Sequence, residues 1–224
     1  MLQPVENSYV YMVALSFFVL IVCLLTGFYL KIENLKAIGI IYGLMLLTPL
    51  FMSSKTEMDR NILLGVMIGL PSLIGIAIIS SFITRNLQVM GVLRITEWSE
   101  AEAAKYPLTI HLGSLALTLG VTPAFLLSVL VNIPGPVAEE SFFRVFLINL
   151  LTPIMGKWKT LIAQAIGFGV IHWLAYGLEI SGIITAALCG LSLGILYTYT
   201  GSETSVSLSH IIYNIITIML AGGV

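Results

Sequence analysis

Two adjacent carboxylates and a guanidinium stand in otherwise hydrocarbon-rich sequence in the stretch Pro134-Gly135-Pro136-Val137-Ala138-Glu139-Glu140-Ser141-Phe142-Phe143-Arg144. An ionised side chain at the centre of a bilayer costs ~2.5–3.5 kcal/mol on insertion scales, so this trio needs partners or a function. A helix begun by Pro136, whose missing N–H falls where no intrahelical bond is needed, puts Glu139 and Glu140 in or near its first turn. The positive end of the helix dipole favours anions there. Arg144 follows Glu140 by four residues, so the two share a face and can pair. Glu139 is turned about 100° from Glu140 and is the carboxylate left to face something else.

Three further polar groups lie in apolar sequence. His172 closes Phe168-Gly169-Val170-Ile171-His172, with Phe168 one helical turn earlier and able to pack on its ring. Gly167 and Gly169 allow a second helix to come close. His210 and Asn214 are four apart and point to one side of one helix. Taken singly, a histidine on an apolar helix is more often a satisfied core residue than a catalyst, and the His210–Asn214 pair reads equally well as interhelical glue. Taken together, a carboxylate, two imidazoles and an amide on three segments are the parts of a hydrolytic site. The carboxylate and one imidazole can hold and deprotonate a water. The other imidazole and the amide can donate to a developing oxyanion.

The elements that must position these groups follow from composition. The chain has 224 residues, 58% hydrophobic and 9% charged, with mean hydropathy +1.03. Soluble domains carry about 25% charged residues, so the chain reads as an integral membrane protein. Its net charge of −1 offers no electrostatic footprint for nucleic acid. Cys23 and Cys189 sit in apolar sequence as small hydrophobes. Apolar runs fall roughly at 8–30, 37–53, 61–83, 107–131, 137–153, 160–176, 181–199 and 206–221. The expected fold is all-α: a polytopic transmembrane bundle of about eight helices around an intramembrane polar cavity. The connections are short except 84–106, where Trp98, Tyr106 and a Ser99–Glu102 capping box suit an interfacial helix. His111 is assigned to the interface at the head of the fourth run, and Glu179 and Glu203 to solvated loops. Counting ~1.5 Å per residue puts Glu139 and His172 at a depth of about 18–21 Å, but Asn214 near 12 Å and His210 near 6 Å. Either the last helix begins deeper, with Ser205, Ser207 and Ser209 lining a dip, which is the reading favoured, or the segment bounds differ from these.

The motifs Glu139-Glu140-x-x-x-Arg144, Phe168-x-x-x-His172 and His210-x-x-x-Asn214 resemble, in order and approximate spacing, those of the CAAX protease and bacteriocin-processing family of intramembrane endopeptidases. That family includes the Ras-converting CAAX prenyl endopeptidases. The resemblance covers roughly 107–221. Residues 1–83 contribute additional N-terminal helices with no matching motif, and the whole of 1–224 is expected to form one membrane domain. The resemblance implies that Glu139 and His172 activate water, that His210 and Asn214 bind the oxyanion, and that Glu140, Arg144 and Phe168 support them. It implies either a glutamate-type protease without a metal, which is the reading adopted here, or a zinc site on Glu139, His172 and His210 with an open fourth position.

The expected activity is hydrolysis of a peptide bond in a membrane-associated protein or peptide, possible substrates including a prenylated CAAX-type one. The expected location is multi-pass in the plasma membrane of a prokaryotic cell. The competing readings are a non-catalytic membrane scaffold or immunity-type protein that keeps the polar core for packing, and a small-molecule or proton transporter using Glu and His as a relay.

Overall fold

Polar side chains lie inside this molecule and large apolar ones outside. Arg144, Glu140, Gln164, Ser205 and Ser207 are fully buried, whereas Leu63, Met67, Ile154, Ile162, Ile180 and Ile184 face outward. That inversion suits a surrounding of lipid, where polar groups have no water to turn to.

The computed structural model describes residues 7–30, 33–48, 62–84, 107–112, 115–120, 129–130, 132–172 and 180–222. Apart from one hairpin, the described elements are helical. They are α1 (Asn7–Leu30), α2 (Glu33–Leu46), α3 (Ile62–Thr84), α5 (Lys157–Ile171), α6 (Ile180–Thr200), α7 (Glu203–Gly222) and the long α4 between α3 and α5 in sequence. Helix α4 runs over 134–155 in three parts. Pro134–Glu140 is α-helical, Ser141–Ile148 is π-helical, and Asn149–Met155 is α-helical again. Among the described residues, Ile62–Ser80 of α3 and Ile180–Thr200 of α6 are long and apolar enough to cross a bilayer by length and composition.

The fourth apolar run is not one spanning helix. Pro107–Leu112 (β1) and Leu115–Gly120 (β2) pair antiparallel, from Pro107 opposite Gly120 to Leu112 opposite Leu115. Leucine or isoleucine alternates with Thr109, His111, Ala116 and Thr118 across this segment, a period of two rather than 3.6. The strands are two residues apart in sequence, a separation that hairpins favour. His111 therefore sits in a strand and not at the head of a helix. The second run is also displaced, because α2 begins at Glu33 and ends at Leu46. The expected interfacial segment 84–106, apart from Thr84 at the end of α3, and Glu179 lie outside the described residues.

Two apolar cores flank α4 and α7. One joins Leu73 of α3 to Leu161, Cys189, Leu193, Val206 and Tyr213. The other joins Tyr9, Val13 and Leu20 of α1 and Leu46 of α2 to Val137, Val145 and Ile211. At roughly 25 cal/mol per Å² of apolar surface removed from water, such side chains each stabilise by about 1.5–3 kcal/mol in an aqueous reference. In lipid the hold comes instead from close packing. Gly169 shows it on α5: a Cβ there would meet the Ile183 carbonyl of α6 at 2.7 Å, while Gly167 has only ordinary contact with Phe143.

Candidate active site

Helix α4 starts at Pro134, two residues earlier than Pro136, so Glu139 and Glu140 fall in its second turn and not its first. That takes them away from the free N–H groups of the helix start, and side chains compensate their charge instead. Glu140 has a partner on each oxygen: Oε2 is 3.0 Å from Arg144 Nε, and Oε1 is 2.9 Å from His210 Nδ1. The Arg144 approach is close without being aligned as a hydrogen bond, so we read it as a charge contact. Arg144 Nη2 donates to the Gly190 carbonyl at 3.3 Å, and its Cζ lies 4.4 Å from the centroid of the Phe168 ring. The widened i→i+5 turns begin directly after Glu140 and contain Arg144, and such turns are frequent at functional sites. Tyr9 of α1 donates to Ser141 Oγ at 2.6 Å, which in turn donates to the Val137 carbonyl at 2.7 Å, fixing α4 where the carboxylates project.

Glu139 faces a different set. Its Oε1 accepts a hydrogen bond from the Tyr42 hydroxyl at 3.1 Å. Its Oε2 is 3.8 Å from His172 Nε2 and 3.9 Å from His210 Nε2. Those separations are too long for direct hydrogen bonds. Both imidazoles are oriented from behind. His172 Nδ1 lies 2.7 Å from the Phe168 carbonyl, which can only accept, so Nδ1 carries the proton and Nε2 presents its lone pair forward. His210 Nδ1 donates in the same way to Glu140. Phe168 packs on both rings, with centroids 4.4 Å from His172 and 6.0 Å from His210.

Glu139, His172, His210 and Asn214 all line one cavity of about 20 Å³, together with Tyr42 and Asn132. Leu73, Cys189, Leu193 and Tyr213 close its apolar side. About 10–15 Å³ suffices for one water, which needs two to four polar partners, so the space is water-sized and suitably lined. The Asn214 amide donates to Asn132 Oδ1 at 3.4 Å, which leaves its second N–H for another acceptor.

His210 reaches the level of Glu139 because α7 starts inside the protein. Ser202, Glu203, Ser205, Ser207 and Ser209 are all buried. The backbone is helical from Glu203 onward rather than an irregular dip. The turn into α7 is tight: Gly201 takes φ 65°, and its N–H donates to the Tyr197 carbonyl at 2.8 Å. Glu203 is therefore not a solvated loop residue. It is 1% exposed in the first turn of α7, where the helix dipole favours a carboxylate, and lies 3.5 Å from the Tyr197 hydroxyl.

Sequence reasoning missed Tyr42 and Asn132. Tyr42 is one aromatic among many in an apolar run, and nothing in its spacing distinguishes it. Asn132 could have been found, since it is an amide immediately before the proline-rich start of α4.

Glu139, His172 and His210 are the kinds of ligand that zinc takes. Tetrahedral bonds of about 2.1 Å set ligand atoms roughly 3.4 Å apart, and the Glu139-to-histidine separations are 3.8 and 3.9 Å. Among the described residues, no group of three or more His, Cys, Asp or Glu side chains is placed to hold a metal ion.

Residues 121–216 match the model of the type II CAAX prenyl endopeptidase Rce1-like family, the family that the three motifs resemble. No curated protein and no solved structure matches the chain significantly.

Proposed function

We propose, from the premise that residues 121–216 are Rce1-like, that this chain is a multi-pass intramembrane endopeptidase cutting a peptide bond in a membrane-associated protein or peptide. The family match supports a CAAX-type protease in general terms. The observation that carries the finer reading is the convergence of Glu139, His172, His210 and Asn214 on one water-sized cavity.

In this mechanism a water held by Glu139 Oε2 and His172 Nε2 loses a proton to the Glu139 carboxylate as its oxygen attacks the carbonyl carbon. The electron pair of the C=O bond moves onto oxygen. That oxyanion accepts from the free N–H of Asn214 and from His210 Nε2–H. His210 can donate there once it is doubly protonated. As the tetrahedral intermediate collapses, the C–N bond breaks and the proton taken from water passes to the leaving amine. Arg144 and Phe168 act indirectly by holding Glu140 and the two rings.

The mechanism as proposed uses no metal, and the chelation arm of the test decides that point. The test is cleavage of a quenched fluorescent, farnesylated CAAX peptide by purified protein in lipid nanodiscs, with and without a strong chelator. The expected result is cleavage by the parent at the same rate in both conditions and none by Glu139→Gln. Activity lost on chelation and restored by zinc would transfer Glu139, His172 and His210 to ligand roles.

A further inference from the structure

We infer that Tyr42 is a positioning residue for Glu139, holding one carboxylate oxygen so that the other faces the two imidazoles and the water between them. The inference rests on the reading of Glu139 as the group that activates water. Tyr42 belongs to α2, outside the matched segment 121–216.

Among the described residues, the Tyr42 hydroxyl is the one group within hydrogen-bond distance of the Glu139 carboxylate, at 3.1 Å from Oε1. Arg144 is taken up by Glu140, and the imidazoles stand off at 3.8 and 3.9 Å on the side of Oε2. The two oxygens are thus made unlike. A carboxylate free to turn about its terminal bond would offer either oxygen to the water, whereas one pinned at Oε1 offers only Oε2. Misplacement of a reacting group by about 1 Å can cost roughly 100-fold in rate.

The phenol is itself held. Gly135 lies four residues before Glu139 on the same face of α4, and its missing side chain is what admits the tyrosine. A Cβ there would come within 2.9 Å of Tyr42 Cε2 and 3.3 Å of the hydroxyl oxygen. Tyr42 also lines the cavity with Glu139, so the hydrogen bond closes the wall of the reaction space.

The deciding variant is Tyr42→Phe, which removes one oxygen and keeps the ring. Its kcat on the farnesylated peptide, per folded molecule, is expected to fall roughly 10–100-fold, as for a reacting group displaced by up to about 1 Å, with KM unchanged. A second readout needs no substrate. The infrared band lost on Glu139→Gln identifies the Glu139 carboxylate, and in Tyr42→Phe that band should move to the position of a carboxylate lacking this donor. Parental kcat overturns the inference, as does a raised KM with kcat intact, which would make Tyr42 a substrate contact. If the parent protein cuts no such peptide, the proposed activity has failed, and an unshifted band still overturns the positioning. Should Tyr42→Phe fail to fold, Gly135→Ala crowds the ring away while keeping the phenol, and the same two readouts apply to it.

Discussion

Glu140 serves two cationic or protonated partners, one on each oxygen, and is fully buried between them. Removing its charge strands Arg144 in a site of low dielectric, and breaking one side of a buried pair costs about 3–5 kcal/mol. Glu140→Gln should therefore lower the melting temperature in detergent substantially. Glu139→Gln keeps an oxygen for Tyr42 and should melt like the parent. The reverse pattern in paired melting curves would exchange the two roles. Asn214 presents a different contrast. Loss of one oxyanion donor typically costs ~10²–10³ in turnover, so Asn214→Ala should cut turnover strongly with little change in substrate binding. Asn214→Asp should be at least as damaging, because a carboxylate repels the developing charge. If Asn214 only ties α7 to Asn132, the variant would lose about 0.6–2 kcal/mol of stability and keep parental turnover per folded molecule.

Helix α6 supports the site without lending it a reactive group. Gly190 offers its carbonyl to Arg144 and to Gln164 and lies against Phe168. A Cβ at Gly190 would sit 3.0 Å from Phe168 Cβ and Cδ1, pressing a ring that packs on both histidines. Gly190→Ala should cost about 1–3 kcal/mol as overpacking and lower turnover as well. Thermal melting beside a rate measurement checks this, and a parental rate would mean that the ring position is not needed. What could be read from the sequence at this scale is what depends on spacing alone. Glu140 and Arg144 four apart, Phe168 and His172 four apart, and His210 and Asn214 four apart on one face are consequences of helical periodicity. What could not be read depends on contacts between segments. Ser141–Ile148 winds as a π-helix, which helical spacing alone does not announce. Glu203 looks like a loop carboxylate until α6 and α7 enclose it. The paired strands at 107–112 and 115–120 resemble a spanning helix in sequence because their apolar content masks an alternation of two.

At the scale of the molecule, the N-terminal helices are part of the site although they carry no motif. Tyr9 of α1 fixes the start of α4, Tyr42 of α2 reaches Glu139, and Leu73 of α3 walls the cavity. Their residues gave no signal in advance because each acts on a partner more than fifty positions away, where neither spacing nor composition betrays the contact. The polar interior they enclose is costly in lipid unless it is used, and the use argued here is hydrolysis. The measurement that bears on it most directly requires no knowledge of the substrate: quantitative mapping of protein termini in membranes of cells carrying either the parent protein or Glu139→Gln at equal abundance. The mechanism predicts at least one membrane-associated protein that is trimmed with the parent and retains the uncut terminus with Glu139→Gln. Identical termini in the two membranes, with both proteins folded, would contradict it and leave the Glu139 cluster as packing.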